Sequence, residues 1–400
     1  MRERRKWAIT GVLLAAALAL QVLARYTKGF ADWYGGRIYP RMIFVIGGFF
    51  SFFPFSAAEL GVYLFLAWIA LYMAVSVILM YRSGPGVLKN YCASFTLTAS
   101  ALLLIFTLFC GINYHSVPFS ENEGFVMKQS SKEELRELCA YLAEEINRSD
   151  AMLAGESNRG NAVLAEEINL SDAAPADEID SDNTTMPAKG DARFTSLDLM
   201  ERQAVLAMKE AGETYESLSG FTPEPKAVWQ SGLLSKVKIM GIYSPFTIEA
   251  NYNREMPVFN VPSTLCHELS HLKGYMREDE ANFVAWLACM ASDQPQFTYS
   301  GHMLAFSYAM DALWNAGEKE AYREIYAGLC QNAKEDLQAD SAFWRQYDGK
   351  AAEVSQTVNN TYLKLNSQDD GVKSYGRMVD LLLAYRREEH QDEKNRIDGY

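Results

Sequence analysis

Two stretches of the chain carry no charge and are long enough to cross a bilayer: Leu60–Met80, 21 residues, and Tyr91–Cys110, 20 residues. In hydrocarbon every backbone N–H and C=O must be satisfied within the protein, so runs of this kind are restricted to helices. A third apolar run, Trp7–Leu23, follows Arg4, Arg5 and Lys6. Its small residues around Ala15–Ala19 form no small-x-small site ahead of a polar terminus, so it reads as a retained anchor rather than a signal peptide. Three transmembrane helices are expected, at about 7–23, 60–80 and 91–110. Met42–Phe55 is also apolar, but it is short and interrupted by Gly47, Gly48 and Pro54. It is expected to be an interfacial segment over 42–55 rather than a fourth span.

The net charge of -13 over 400 residues conceals a division. Up to His115 ten basic residues face three acidic ones, giving +7, which leaves -20 for the remainder. Residues 1–115 therefore read as a basic membrane anchor whose partner is the lipid bilayer, and 116–400 as an acidic water-soluble domain. An acidic domain of this size excludes nucleic acid as a partner. With three spans and the amino terminus inside, Arg82 and Lys89 face the cytoplasm. The expected location is a multi-pass protein of the cell membrane with its domain extracytoplasmic. A fourth span would reverse the domain and would better suit Arg25, Lys28, Arg37 and Arg41. The six cysteines contain no C-x-x-C pair, so neither a disulfide framework nor a cysteine zinc site is expected.

Beyond the anchor the pattern is mainly helical. Leu135, Leu138, Cys139, Leu142 and Ile146 recur at spacings of three and four, which predicts an amphipathic helix over Ser131–Asn147. The hexapeptide LAEEIN at 142–147 recurs at 164–169, and two copies suggest a local duplication rather than a solenoid. A flexible acidic insertion is expected over about 148–192, where Asp, Ala, Ser, Asn, Pro and Gly dominate from Ser171 onward. Lys236–Val261 mixes β-branched and aromatic residues with Gly, Pro and Asn, which predicts short strands. Helical spacing resumes from Ser263 to about Tyr385, and the charged tail from Arg386 is expected to fray.

Within that last region His267-Glu268-Leu269-Ser270-His271 matches H-E-x-x-H. On a helix the two imidazoles share a face and can ligate one Zn2+, with Glu268 beside them to take a proton from water that the ion activates. Pro262 and Ser263 or Thr264 supply a helix start, and Gly274 a stop. With only five histidines in the chain, chance rarely sets two of them four apart around a glutamate. A catalytic zinc takes a third protein ligand. Arg277 stands where a third histidine would be in the longer H-E-x-x-H-x-x-G-x-x-H pattern, and arginine does not ligate. Glu278 is the leading candidate, with Asn282 four residues on to orient a ligand from behind. Asp279, Glu280, His302 and His390 are the alternatives. The bland reading of Glu278, Asp279 and Glu280 is that they complement a helix amino terminus. Phe283–Met290 is too short to span and reads as the buried face of that second helix. Tyr243, Tyr275, Tyr299 and His302 are candidate oxyanion donors, with buried core the plainer reading of each, and Glu249 reads either as a structural charge near the site or as a plain surface or salt-bridged carboxylate. The strand-like run Ile242–Tyr252 is expected beside the cleft, where its backbone can bind an extended substrate.

His267-Glu268-Leu269-Ser270-His271 followed by Glu278-x-x-Ala281-Asn282 resembles the gluzincin pattern of zinc metallopeptidases. Almost the whole chain resembles a family of bacterial membrane proteins, the domain-of-unknown-function 3810 family. The stretches that carry this are Tyr39–Glu59, Gly111–Tyr114, Gly241–Asn251, Cys266–Cys289 and Asp370–Tyr385. Asn282 stands where the pattern more often has Asp, which weakens an orienting charge. The combined expectation is a mainly α fold: three transmembrane helices, then an α-rich zincin-like domain with a small β-sheet. The resemblance implies a membrane-anchored, zinc-dependent peptidase-like hydrolase acting on a peptide or protein. Two other readings stay open: a non-catalytic membrane sensor or scaffold with a structural zinc site, and a zinc hydrolase of a cell-wall amide.

Overall fold

The structure is a computed structural model that describes residues 2–84, 86–128, 130–170, 191–365 and 377–398. Three helices are long and apolar enough to cross a membrane, Glu3–Tyr26, Ala57–Arg82 and Leu88–His115. They lie within α1 (Arg2–Tyr26), α2 (Ala57–Ser83) and α3 (Gly86–Phe106), the last prolonged by a π turn at Thr107–Gly111 and a 3-10 turn at Asn113–His115. Each exceeds its apolar run because polar groups at the ends finish the helix. Ser56 Oγ caps α2 by accepting from Glu59 N at 3.0 Å. Lys6 Nζ donates to Asn90 Oδ1 and Ser94 Oγ at 2.8 and 2.5 Å, so the amino terminus and the start of α3 share one end of the bundle.

The other end carries the domain. Its helices of ten residues or more begin with α4 (Lys132–Leu170), α5 (Leu197–Thr214), α6 (Val261–Leu272), α7 (Glu278–Ala291) and α8 (Pro295–Asn315). They are followed by α9 (Lys319–Gly328), α10 (Gln331–Arg345), α11 (Lys350–Leu365) and α12 (Arg377–Asp398). The amphipathic run expected from Ser131 opens α4, and Leu138, Cys139, Leu142 and Ile146 are almost wholly buried. Burying a leucine or isoleucine contributes about 1.5–3 kcal/mol each. That stripe packs mainly on α8. The helix continues to Leu170, so 148–170 of the expected insertion is helical. The flexible part expected over 171–190 lies outside the described residues, as do the side chains of the second LAEEIN copy. The tail expected to fray is also helical, through Asp398, and Arg387 Nε holds Glu134 at 2.7 Å.

A three-stranded sheet has the order β1-β3-β2, with β1 (Lys226–Ala227), β2 (Gly241–Ser244) and β3 (Glu249–Tyr252). β3 pairs parallel with β1 and antiparallel with β2, Gly241 opposite Tyr252 and Ser244 opposite Glu249. α6 packs against β2 and β3 on one side and α7 on the other. Phe283 to Cys289 are all buried in the domain, as expected for the inner face of α7.

The segment 42–55 is not one helix. Tyr39–Met42 is helical, Ile43–Gly47 forms a π turn and Gly48–Phe50 a short helical turn. It folds back on the sheet: the Phe44 and Phe221 rings meet edge to face at 5.6 Å, and Lys226 Nζ donates to Phe50 O at 2.7 Å.

Candidate metal centre

Pro262 sits in the first turn of α6, where its missing N–H costs nothing, and its fixed φ favours the helix. Gly274 at φ +106 turns the chain just after α6, a conformation that disfavours a side chain. The turn brings the first residue of α7 back over α6. As a result donor atoms of His267, His271 and Glu278 all lie within 4.8 Å of one another. His267 Nε2 is 3.4 Å and His271 Nε2 3.8 Å from oxygens of Glu278. Tetrahedral ligation with bonds of about 2.1 Å separates donors by roughly 3.4 Å, so this set fits one zinc-sized cation.

The tautomer of His271 argues the same way. His271 Nδ1 lies 2.8 Å from Tyr275 O, which assigns the proton to Nδ1 and turns the Nε2 lone pair toward Glu278. Burial, followed by the neighbouring His267 charge, lowers His271 to about 4 despite Glu278 and Tyr275. A neutral imidazole thus presents a lone pair to carboxylate oxygens, and a cation between them resolves that repulsion. Burial also lowers His267, but Glu278, Glu268 and Asn282 outweigh it and raise the group overall.

Glu268 is buried at 4% exposure, and its Oε2 has no hydrogen-bond partner. Burial, with Glu278 adding to it and His267 and the Tyr243 backbone N–H opposing, pushes it up to about 8. It reaches the edge strand: a Cβ at Gly241 would lie 2.6 Å from Glu268 Cγ and closer still to Oε1. Asn282 donates through Nδ2 to Tyr308 Oη at 3.3 Å, and the buried His267 Nδ1 has no hydrogen-bond partner.

The alternative ligands face elsewhere. Glu280 accepts from Ser120 N and Oγ at 3.0 and 2.7 Å, and Asp279 faces Arg377 at 4.0 Å. His302 is buried edge-on to Tyr141, and His390 is exposed beside Arg386. The four oxyanion candidates are also engaged away from the three donors. Tyr299 Oη donates to Asp336 at 2.5 Å, and Tyr243 Oη lies 2.9 Å from Tyr39 Oη and donates to Phe109 O. The Tyr275 ring packs edge to face on Phe119 at 5.3 Å, and His302 lies against Tyr141.

The sequence reading missed the wall that the anchor supplies. Cys110 Sγ lies 3.7 Å from Met276 Sδ and 3.4 Å from Tyr362 Oη, and Tyr114 Oη donates to Tyr362 Oη at 3.2 Å. The end of α3 and the helix α11 thereby close over the turn that carries Glu278. The signals were the GINY run and the glycine that opens GIYSPFTIEAN, both among the stretches that carry the resemblance.

The fold and the site together describe a mainly helical membrane protein with three apolar helices and a His/Glu cluster at their domain-side end. The chain belongs to the family described as a protein of unknown function (DUF3810), whose model matches residues 34–383. No curated protein and no solved structure matches it.

Proposed function

We propose that the protein is a membrane-anchored, zinc-dependent metallopeptidase-like hydrolase whose domain is zincin-like and of gluzincin type. The observation that carries this is the convergence of His267, His271 and Glu278, with the buried Glu268 carboxylate beside them on the same helix. When bound, zinc supplies Lewis acidity, bringing the pKa of water toward ~7 and polarising the peptide carbonyl. Glu268, which the charge of a bound zinc would hold as a carboxylate, takes the proton from water as its oxygen adds to the carbonyl carbon, and delivers it to the leaving amine nitrogen as the C–N bond breaks. Asn282 is placed to orient His267, whose buried Nδ1 has no partner of its own, and the Tyr275 carbonyl holds His271. The edge strand β2 offers backbone groups to an extended polypeptide.

We also infer that the domain is extracytoplasmic. Arg4, Arg5, Lys6, Arg82 and Lys89 gather at the end of the bundle opposite the domain, and such clusters stay in the cytoplasm.

Metal analysis and peptide hydrolysis by the purified protein test the reading together. Glu268→Gln is expected to keep stoichiometric zinc and lose roughly 10²–10⁴ in rate. Unchanged hydrolysis in that variant, or no zinc in the parent, overturns the reading. Intact cellular function with Glu268→Gln supports a non-catalytic sensor or scaffold instead. Glu278→Ala is expected to lose zinc, and full retention would sink the ligand assignment.

A further inference from the structure

β2 joins the candidate centre to the membrane. Its first residue, Gly241, lies against Glu268, and its last, Ser244, is in register with Glu249. Glu249 accepts from Ala57 N and Ala58 N at 3.2 and 2.7 Å, so it binds the opening turn of α2. Glu59 in the same turn accepts from Trp229 N and Gln230 N at 2.7 and 2.9 Å. The far end of the strand is thus level with the start of a helix whose apolar window has no part buried in protein.

A band of exposed aromatic rings marks that level. Phe52 is 85% exposed, Phe49 57%, Trp229 51% and Phe246, in the β2–β3 turn, 48%. Two of them are joined through a chain of rings: Phe49 to Phe53 at 5.7 Å, Phe53 to Phe55 at 5.6 Å and Phe55 to Trp229 at 5.4 Å. Contiguous apolar surface of this kind is costly in water, whereas aromatic rings are at home at the bilayer interface. Its continuity with the start of α2 identifies what covers it as lipid headgroups.

We propose, building on the hydrolase reading, that the substrate is the extended juxtamembrane stretch of another membrane-anchored polypeptide, added along the outer edge of β2, the strand at one end of the sheet. A chain leaving the bilayer beside α2 meets Ser244 first and Glu268 at Gly241. At about 3.4 Å per residue, the strand places the bond to be cut roughly four to eight residues from the anchor. Loop-held rings keep this distance constant: Lys273 at the end of α6 donates to Ser219 O and Gly220 O at 3.0 Å, which ties the loop bearing Phe221 to the helix of His267 and His271.

The test uses full-length protein with zinc in liposomes that also hold single-span peptides bearing one fluorogenic cleavage sequence. The sequence is set about five or about twenty-five residues from the span, with the same sequence supplied free. Both anchored forms share one surface concentration, so tethering alone does not favour either. The near sequence is expected to be cut at least about tenfold faster than the distant one, because a mispositioned bond loses rate steeply. Equal rates for the two overturn the substrate assignment and leave the hydrolase reading standing. Failure to cut any of the three, free peptide included, overturns both. A readout independent of catalysis comes from Phe246→Cys in a Cys92→Ala background, carrying an environment-sensitive dye. Quenching by brominated lipid is expected, and an unquenched dye overturns the proposal.

Discussion

Position 241 shows how one missing side chain shapes the candidate centre. A Cβ there would press into Glu268 Cγ, a contact that real side chains do not make. Gly241→Ala is therefore expected to displace the carboxylate while leaving His267, His271 and Glu278 in place. Zinc content should stay at the parental level and hydrolysis fall by about 10²-fold or more. Parental activity in that variant would remove Glu268 from the role given to it. Glu201 makes a separate prediction, about stability. Burial, partly offset by a hydrogen bond from Tyr252 Oη at 2.8 Å, pushes Glu201 up from 4.5 to about 7. The folded state thus keeps a proton that the unfolded chain gives up near 4.5. The resulting stabilisation is complete below that pH and is lost as pH rises through about 7. Glu201→Gln should flatten this dependence, and thermal melts in detergent from pH 4 to 8 will check whether its advantage over the parent grows with pH.

Between elements, the strongest lock joins β3 to α2. Glu249 is 3% exposed in its side chain and meets Lys226 Nζ at 2.5 Å while accepting from two N–H groups of the α2 amino terminus. The expected salt-bridged carboxylate is thus a joint between sheet and anchor. Glu249→Ala leaves a buried ammonium with no counter-charge, only the Phe50 carbonyl, and leaves two backbone donors unpaired. It should cost about 3–5 kcal/mol, seen as a lowered melting temperature of the detergent-solubilised protein. A second joint gathers around Arg193, whose guanidinium meets Asp150 in α4 at 3.0 Å, Asp191 at 2.7 Å and Asp336 in α10 at 2.8 Å. These bonds bring together residues on either side of 171–190. Arg193→Met is expected to lower the melting temperature and leave zinc content unchanged.

The arrangement of the bundle sets the amino terminus and the domain at opposite ends of the three apolar helices. A membrane-impermeant maleimide is expected to label Glu216→Cys in intact cells and Arg4→Cys only after lysis; the reverse pattern would put the centre in the cytoplasm. Much of this architecture was legible because absence of charge over twenty residues leaves few alternatives to a spanning helix. The true limits, such as Ser56 ahead of Leu60, were less legible because capping depends on side-chain bonds that hydropathy does not register. The course of 39–55 over the sheet was not legible at all. Nothing in its apolar run distinguishes the ring that packs on Phe221 from rings such as Phe52 that stay exposed.

His267, Glu268 and His271 share a helix face because the pitch of an α-helix brings residues three and four apart together, and that relation needs only the local chain. Spacing alone could nominate Glu278 but left Asp279 and Glu280 as rivals. Which of the three consecutive carboxylates lies beside the two histidines depends on Ser120, Arg377 and the turn at Gly274, which lie far apart in the chain or depend on a backbone angle. The fit of Glu268 against Gly241 and the closure by Cys110 and Tyr362 belong to the same class. Local geometry is set by a few dihedral angles within one turn. Contacts between distant segments come from many small burial terms summed over the core, and only the folded molecule performs that sum.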